Sequence, residues 1–397
     1  MLFRCVVTVG LLLFMMSPVY GENQKNVVEP QKSDEEQSVP EAVYTALDHL
    51  LSLFQPETEL NRQQLSPLID FVVTTPAGSN GFLKERNGAS GAFHLFTIDG
   101  SFEHILSYAY NPDIPAYVTM PSSVQEHQWL SAEVIEKLKK LPQTVESGEE
   151  STLLRGREQE IITPDTNTGG YYQYSQDRIV MVLPATRGPV LISITSQNEP
   201  SEVGRKGCVV GDDKNWNYLY SDEKGINKTG LGWVDSFMYF AYSVIVYATD
   251  SENNVVHASS FKWLNAGWAK INMVKSSHIL EGIKRFATDY EEILESPGLP
   301  ETDTLRQKYL DLKQAPETDL RPQASSYLQA LSKSEAMKTC PKSFRTMVSS
   351  GEYLEQMGRE EMVRVLLLEY IKENMGRESL ISSKNQPQKT QPLALNP

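Results

Sequence analysis

Little in this chain is arranged for metal or phosphate chemistry. Its six histidines, His49, His94, His104, His127, His257 and His278, are scattered. No two stand at zinc spacing, and neither His-Glu-x-x-His nor Cys-x-x-Cys occurs, so no metal is expected. No Gly-rich phosphate loop follows a strand, so no cofactor is expected either. The nucleophile elbow of the α/β-hydrolases is missing: Asn87-Gly88-Ala89-Ser90-Gly91 spaces its glycines too closely and reads as a turn between strands. Asp213-x-Asn215-x-Asn217 has the alternating oxygens of a calcium loop, but Tyr218 stands where the glycine belongs and Lys224 where the closing glutamate belongs.

Basic charge is also in deficit, with 37 Lys and Arg against 51 Asp and Glu and a formal net charge of -14. Nucleic acid and anionic membrane surfaces need clustered cations, so neither is expected as a partner. The excess of carboxylates weakly favours cationic ligands. Long apolar runs are missing too. Val6 to Met16 falls short of the ~20 residues that span a bilayer.

What is there begins with that run. Arg4 is the only charge before Glu22, and Val19 and Gly21 occupy small-residue positions. Residues 1–21 therefore read as a signal peptide cleaved after Gly21, with a retained anchor as the alternative. Cys5 precedes the apolar core, which does not fit a lipoprotein. The expectation is an exported protein, periplasmic or extracellular, with no transmembrane helix after cleavage.

Removing the signal leaves Cys208 and Cys340. An oxidising compartment would commonly bond such a pair, tying the rear of the chain to its middle. Two separate buried thiols are the alternative, and spacing does not decide between them.

Residues 22–40 are polar and read as a disordered leader, as does the tail at 377–397. Between them the pattern predicts an α+β domain over 41–298, an antiparallel sheet with packed helices, and then an all-α helical domain over 299–376. Helical spacing marks Val43 to Phe54 after Pro40, Ser131 to Leu141, Ser276 to Glu295 and Arg359 to Asn374. A helix is also expected around Leu264, Trp268 and Ile271, and another opening at Pro322. Strands are expected at Leu68–Val73, Ala92–Ile98, His104–Tyr110, Ala116–Met120, Ile179–Leu183, Val190–Thr195, Phe237–Tyr247 and Val255–Phe261. Asp99-Gly100 reads as a hairpin turn. Pro142 to Gln176 reads as loop, and Ser196 to Asp235 as the least regular part of the body.

That irregular stretch holds the most distinctive chemistry. Asp212, Asp213, Asn215, Trp216, Asn217, Tyr218 and Trp233 mix rigid aromatics with hydrogen-bonding groups, as binding loops do. Trp263 and Trp268 follow on a neighbouring element. The other reading is a long connection whose aromatics fold back over the core. Asn227-Lys228-Thr229 is a glycosylation sequon. The expected function is a non-enzymatic binding or interaction protein, with an unknown protein or small-molecule partner in the envelope or outside the cell. A hydrolase with an unrecognised catalytic set is the alternative, and an envelope structural component is a third.

Overall fold

The computed structural model describes residues 38–146, 152–228, 232–250 and 253–381. The expected signal peptide, nearly all of the leader and most of the tail lie outside the described residues. Helices α1 (Glu41–Ser52) and α2 (Ser66–Thr74) precede strands β1 (Asn80–Arg86) and β2 (Ala89–Asp99). Then come α3 (Phe102–Ala109), β3 (Val124–Trp129), α4 (Ala132–Lys139) and α5 (Leu141–Glu146). The chain next enters β4 (Thr152–Ile162), β5 (Gly170–Tyr171), β6 (Gln173–Ala185), β7 (Gly188–Gln197), β8 (Arg205–Val209) and β9 (Tyr218–Lys224). A small pair, β10 (Ile226–Lys228) and β11 (Gly232–Val234), leads to β12 (Phe237–Asp250), β13 (Val255–Trp268) and β14 (Ile271–Asn272). Helices α6 (Ser276–Leu294), α7 (Thr302–Gln314), α8 (Glu317–Lys333), α9 (Lys342–Ser350), α10 (Glu352–Gln356) and α11 (Arg359–Asn374) complete it.

The protein is α+β, with helices filling its C-terminal part. A nine-stranded sheet runs β1-β2-β13-β12-β7-β6-β4-β3, with β14 added to β13, and all its described pairings are antiparallel. The period of two divides its side chains between two cores. Val244, Val246 and Ala248 of β12 face α1 and α2, together with Phe93, Ile192 and Met181 from neighbouring strands. Tyr247 points the other way, into a core shared with Phe96, Val180 and Leu191. That second core continues without a break into the C-terminal helices, through Tyr290, Leu328, Leu367 and Ile371. A three-stranded sheet, β5-β8-β9, contributes Tyr171, Tyr218 and Leu219 to it. No described helix is long and apolar enough to cross a membrane.

Cys208 of β8 and Cys340, just before α9, are paired as a disulfide, with Cα atoms 5.9 Å apart. The bridge closes a separation of 132 residues.

Several expected elements take another form, each for a local reason. Leu68–Val73 lies in α2, because Leu68, Phe71 and Val72 bury at helical spacing. His104–Tyr110 is mostly α3: Ser101 caps it by accepting from His104 N at 3.2 Å, and Phe102, Ile105 and Leu106 face inward. Asp99-Gly100 consequently leads from strand to helix instead of turning a hairpin. Ala116–Val118 is a short 3-10 turn. Leu264 and Trp268 belong to the far end of β13, held extended by pairing with β12 as far back as Phe237. α8 starts at Glu317, and Pro322 sits inside it. The carbonyl its ring leaves unbonded, that of Thr318, is on a solvent-exposed residue. Pro142–Gln176 contains β4, β5 and the start of β6, and the stretch from Ser196 to Asp235 contains β8 to β11.

Candidate functional site

The predicted aromatic loop is built into the core. Asp212 caps a short 3-10 turn, accepting from Lys214 N at 3.0 Å, and exposed Asn215 lies in that turn. Trp216 takes a left-handed φ of 53°, which turns its indole inward; it is 2% exposed and donates to Asp289 Oδ1 at 3.0 Å. The Arg377 guanidinium covers the ring at 3.8 Å. Asp213 pairs with Arg285 at 3.2 Å and accepts from the buried Tyr218 hydroxyl at 2.7 Å. Asn217 Oδ1 accepts from Lys372 Nζ at 3.0 Å and from Tyr327 at 3.3 Å. These bonds run to α6, α8 and α11, so the loop pins the C-terminal helices to the sheet.

Burial pushes the Asp289 carboxyl up to about 6, against the donors Ser122 N and Trp216. Burial also raises Asp213, with Arg285 opposing it. Trp263 does not join this group. It is 1% exposed, lies in the core under α1 and α2, and donates to the Lys84 carbonyl at 2.9 Å. Trp268 is half-buried at the end of β13, and the Trp233 side chain lies outside the described residues, as does Thr229 of the sequon. Among the described residues no cluster of His, Cys, Asp and Glu is set to hold a metal.

The concave site lies elsewhere, over the β3-β4-β6 end of the large sheet. A cleft of about 580 Å³ opens there, bounded by the segment from Tyr110 to Met120, by α4, and by one face each of α7 and α11. Its floor comes from three strands whose inward positions carry polar or aromatic groups. The registers set Trp129 opposite Glu158, Glu158 opposite Gln176 and Glu160 opposite Tyr174.

Glu158 lies beneath that floor, fully buried, and ties its residues together. His127 Nε2 stands 2.8 Å from one carboxylate oxygen, while Gln176 Nε2 donates to the other at 2.6 Å. Arg178 forms an ion pair with that second oxygen at 3.1 Å, with its Nε–H not aligned as a hydrogen bond. Burial pushes the Glu158 carboxyl up, but Arg178 and then His127 and Gln176 outweigh it, holding it below the usual carboxylate range. Glu158 is therefore an anion at neutral pH. Because a carboxylate only accepts, His127 donates from Nε2, and in the neutral ring the free lone pair sits on Nδ1. Glu160 accepts from the Tyr174 hydroxyl.

Trp129 walls the floor on one side, its ring facing the Arg178 guanidinium at 5.8 Å and the His127 imidazole edge-on. Gly156 makes room for that ring. A Cβ there would lie 2.9 Å from Trp129 Cζ3 and 3.1 Å from Val134 Cγ2. Tyr110, Tyr117 and Tyr309 complete the aromatic lining. Burial pushes the Tyr110 phenol up to about 12, so it is neutral. At the rim Lys313 of α7 grips both oxygens of Glu360 of α11, at 2.6 and 2.7 Å.

None of these residues stood out in the sequence, because β4 reads as loop when its inward positions are Glu158 and Glu160. The available signal is a period of two in polar and aromatic residues: His127-x-Trp129, Glu158-x-Glu160 and Tyr174-x-Gln176-x-Arg178. No family model matches the chain, and no curated protein does.

Proposed function

We propose that this is an exported binding protein that holds a small organic ligand in the cleft over β3, β4 and β6. One observation carries the reading: a roomy, aromatic-lined cavity whose lining residues His127 and Arg178 are held from beneath by the fully buried anionic carboxylate of Glu158. Ligand sites are concave and mostly apolar, with a few fixed polar groups, and perturbed carboxylates gather in them. The polar floor costs desolvation that a purely structural core avoids by using apolar residues. Export rests on the N-terminal signal pattern, and the Cys208–Cys340 pair accords with an oxidising compartment.

A thermal-shift screen of small polar and aromatic compounds tests the reading. Ligands of the cleft should raise the melting temperature of the wild type and not that of Trp129→Ala. Hits that act equally on both proteins would refute it.

A hydrolase is the second reading, favoured by His127, which a carboxylate holds by one nitrogen as in an acid–base pair. It requires turnover of an ester or amide that His127→Ala abolishes. An unchanged rate in that variant excludes it.

A further inference from the structure

We infer that the ligand of this cleft is an organic cation, an amine or quaternary ammonium with a compact apolar body, and that Glu126 is its counter-charge. This rests on the cleft being the binding site and adds the class of ligand.

Of the charged side chains that face the cavity, all but one are matched within the protein. Arg178 is matched by Glu158 beneath it, and Lys313 by Glu360. Glu160 is satisfied by Tyr174, and His127 is committed to Glu158. Glu126 remains. It lines the cleft from β3, beside the register shift between Val124 and Glu126, and accepts no hydrogen bond among the described residues. The cation that acts on it most strongly is Arg364, but that side chain lies behind the cleft lining, facing Glu361 at 4.0 Å and the Tyr220 ring at 4.8 Å. Burial, reinforced by Glu360 and opposed by Arg364, pushes the Glu126 carboxyl up, as expected of a carboxylate short of partners.

The two signs of ligand charge are therefore not equivalent. An anion would have to draw Arg178 or Lys313 away from its own carboxylate and leave that carboxylate bare in a partly desolvated site. A cation displaces nothing. It meets Glu126 in a cleft that Tyr117, Tyr309 and Trp129 also line, and aromatic rings stabilise ammonium groups through their quadrupoles. Glu160, whose hydrogen-bond partner Tyr174 is neutral, adds a negative field of the same sense.

Three probes of nearly the same shape test the class by calorimetry: choline, its neutral isostere 3,3-dimethylbutan-1-ol, and the anion 3,3-dimethylbutanoate. Choline should bind at least tenfold more tightly than the alcohol, and the anion least. Glu126→Gln should weaken choline about tenfold and leave the alcohol unchanged, while Trp129→Ala should weaken both. The variant Glu126→Gln exchanges a partly exposed side chain for its isostere, and an unchanged melting temperature shows that it folds. Preference for the alcohol or the anion, no binding of choline at millimolar concentration, or full choline affinity in Glu126→Gln would overturn the cation assignment. A probe whose binding Trp129→Ala still weakens would leave the cleft standing as the site. Choline binding unaffected by both substitutions would overturn the cleft as well.

Discussion

Replacing Glu158 by glutamine removes the charge on which the cleft floor is organised, and its cost follows from the geometry. The carboxylate is 0% exposed and serves His127, Gln176 and Arg178 at once. Glutamine keeps one accepting oxygen for Gln176, its amide can meet His127 only if the ring changes tautomer, and it offers Arg178 no counter-charge. Removing one partner of a buried pair costs about 3–5 kcal/mol. Arg178 keeps a nearby anion in Glu160, and its side chain is 18% exposed, so the low end applies, about 3 kcal/mol.

The loss must also depend on pH. The folded-state pKa of Glu158 lies below its unfolded value, so its stabilisation is present above the unfolded value of about 4.3 and disappears as pH falls through the lower folded value. Urea unfolding of wild type and Glu158→Gln at neutral pH and at about pH 3 measures both effects. The gap should be about 3 kcal/mol at neutral pH and narrow in acid. Arg178→Gln should couple to it non-additively, since each substitution exposes the same unpaired partner. A gap under about 1 kcal/mol at neutral pH, or strict additivity, would refute the claim that this pair organises the floor.

Other consequences follow from the same structure. Cys208→Ser with Cys340→Ser opens a loop of 132 residues, which the chain-entropy model values at about 5 kcal/mol; urea midpoints that agree between bridged and serine proteins would contradict it. Asp289, pushed up to about 6, binds more protons folded than unfolded. Its stabilising contribution is full below about pH 4 and is lost as pH rises toward 6, so the wild type should lose up to about 3 kcal/mol relative to Asp289→Asn across that window in urea titrations. Gly156→Ala should push the Trp129 ring aside at a cost of about 1–3 kcal/mol, seen as a shifted tryptophan emission and a lower urea midpoint.

The sequence was most legible where burial follows a regular period. Phe237 to Tyr247 is apolar on both sides because β12 lies mid-sheet with a core on each face, and α11 begins and ends where its apolar spacing does. Legibility failed where inward positions are polar. Glu158, Glu160, Gln176 and Arg178 satisfy one another across strands, so none advertises burial by itself. The loop around Trp216 allowed two readings, a binding surface or a connection folded back over the core, and spacing did not decide between them. Its aromatics and carboxylates suggest a surface, but their partners, Asp289, Arg285 and Lys372, lie far along the chain, and only the fold brings them together.

The most direct test of the cleft as the working site is native mass spectrometry of wild type and Trp129→Ala, purified without reductant from the host's own envelope fraction. The account predicts a small-molecule adduct on the wild type that is missing from the variant. An adduct of equal occupancy on both proteins, or none on the wild type even when it is kept in unwashed native extract, would contradict it.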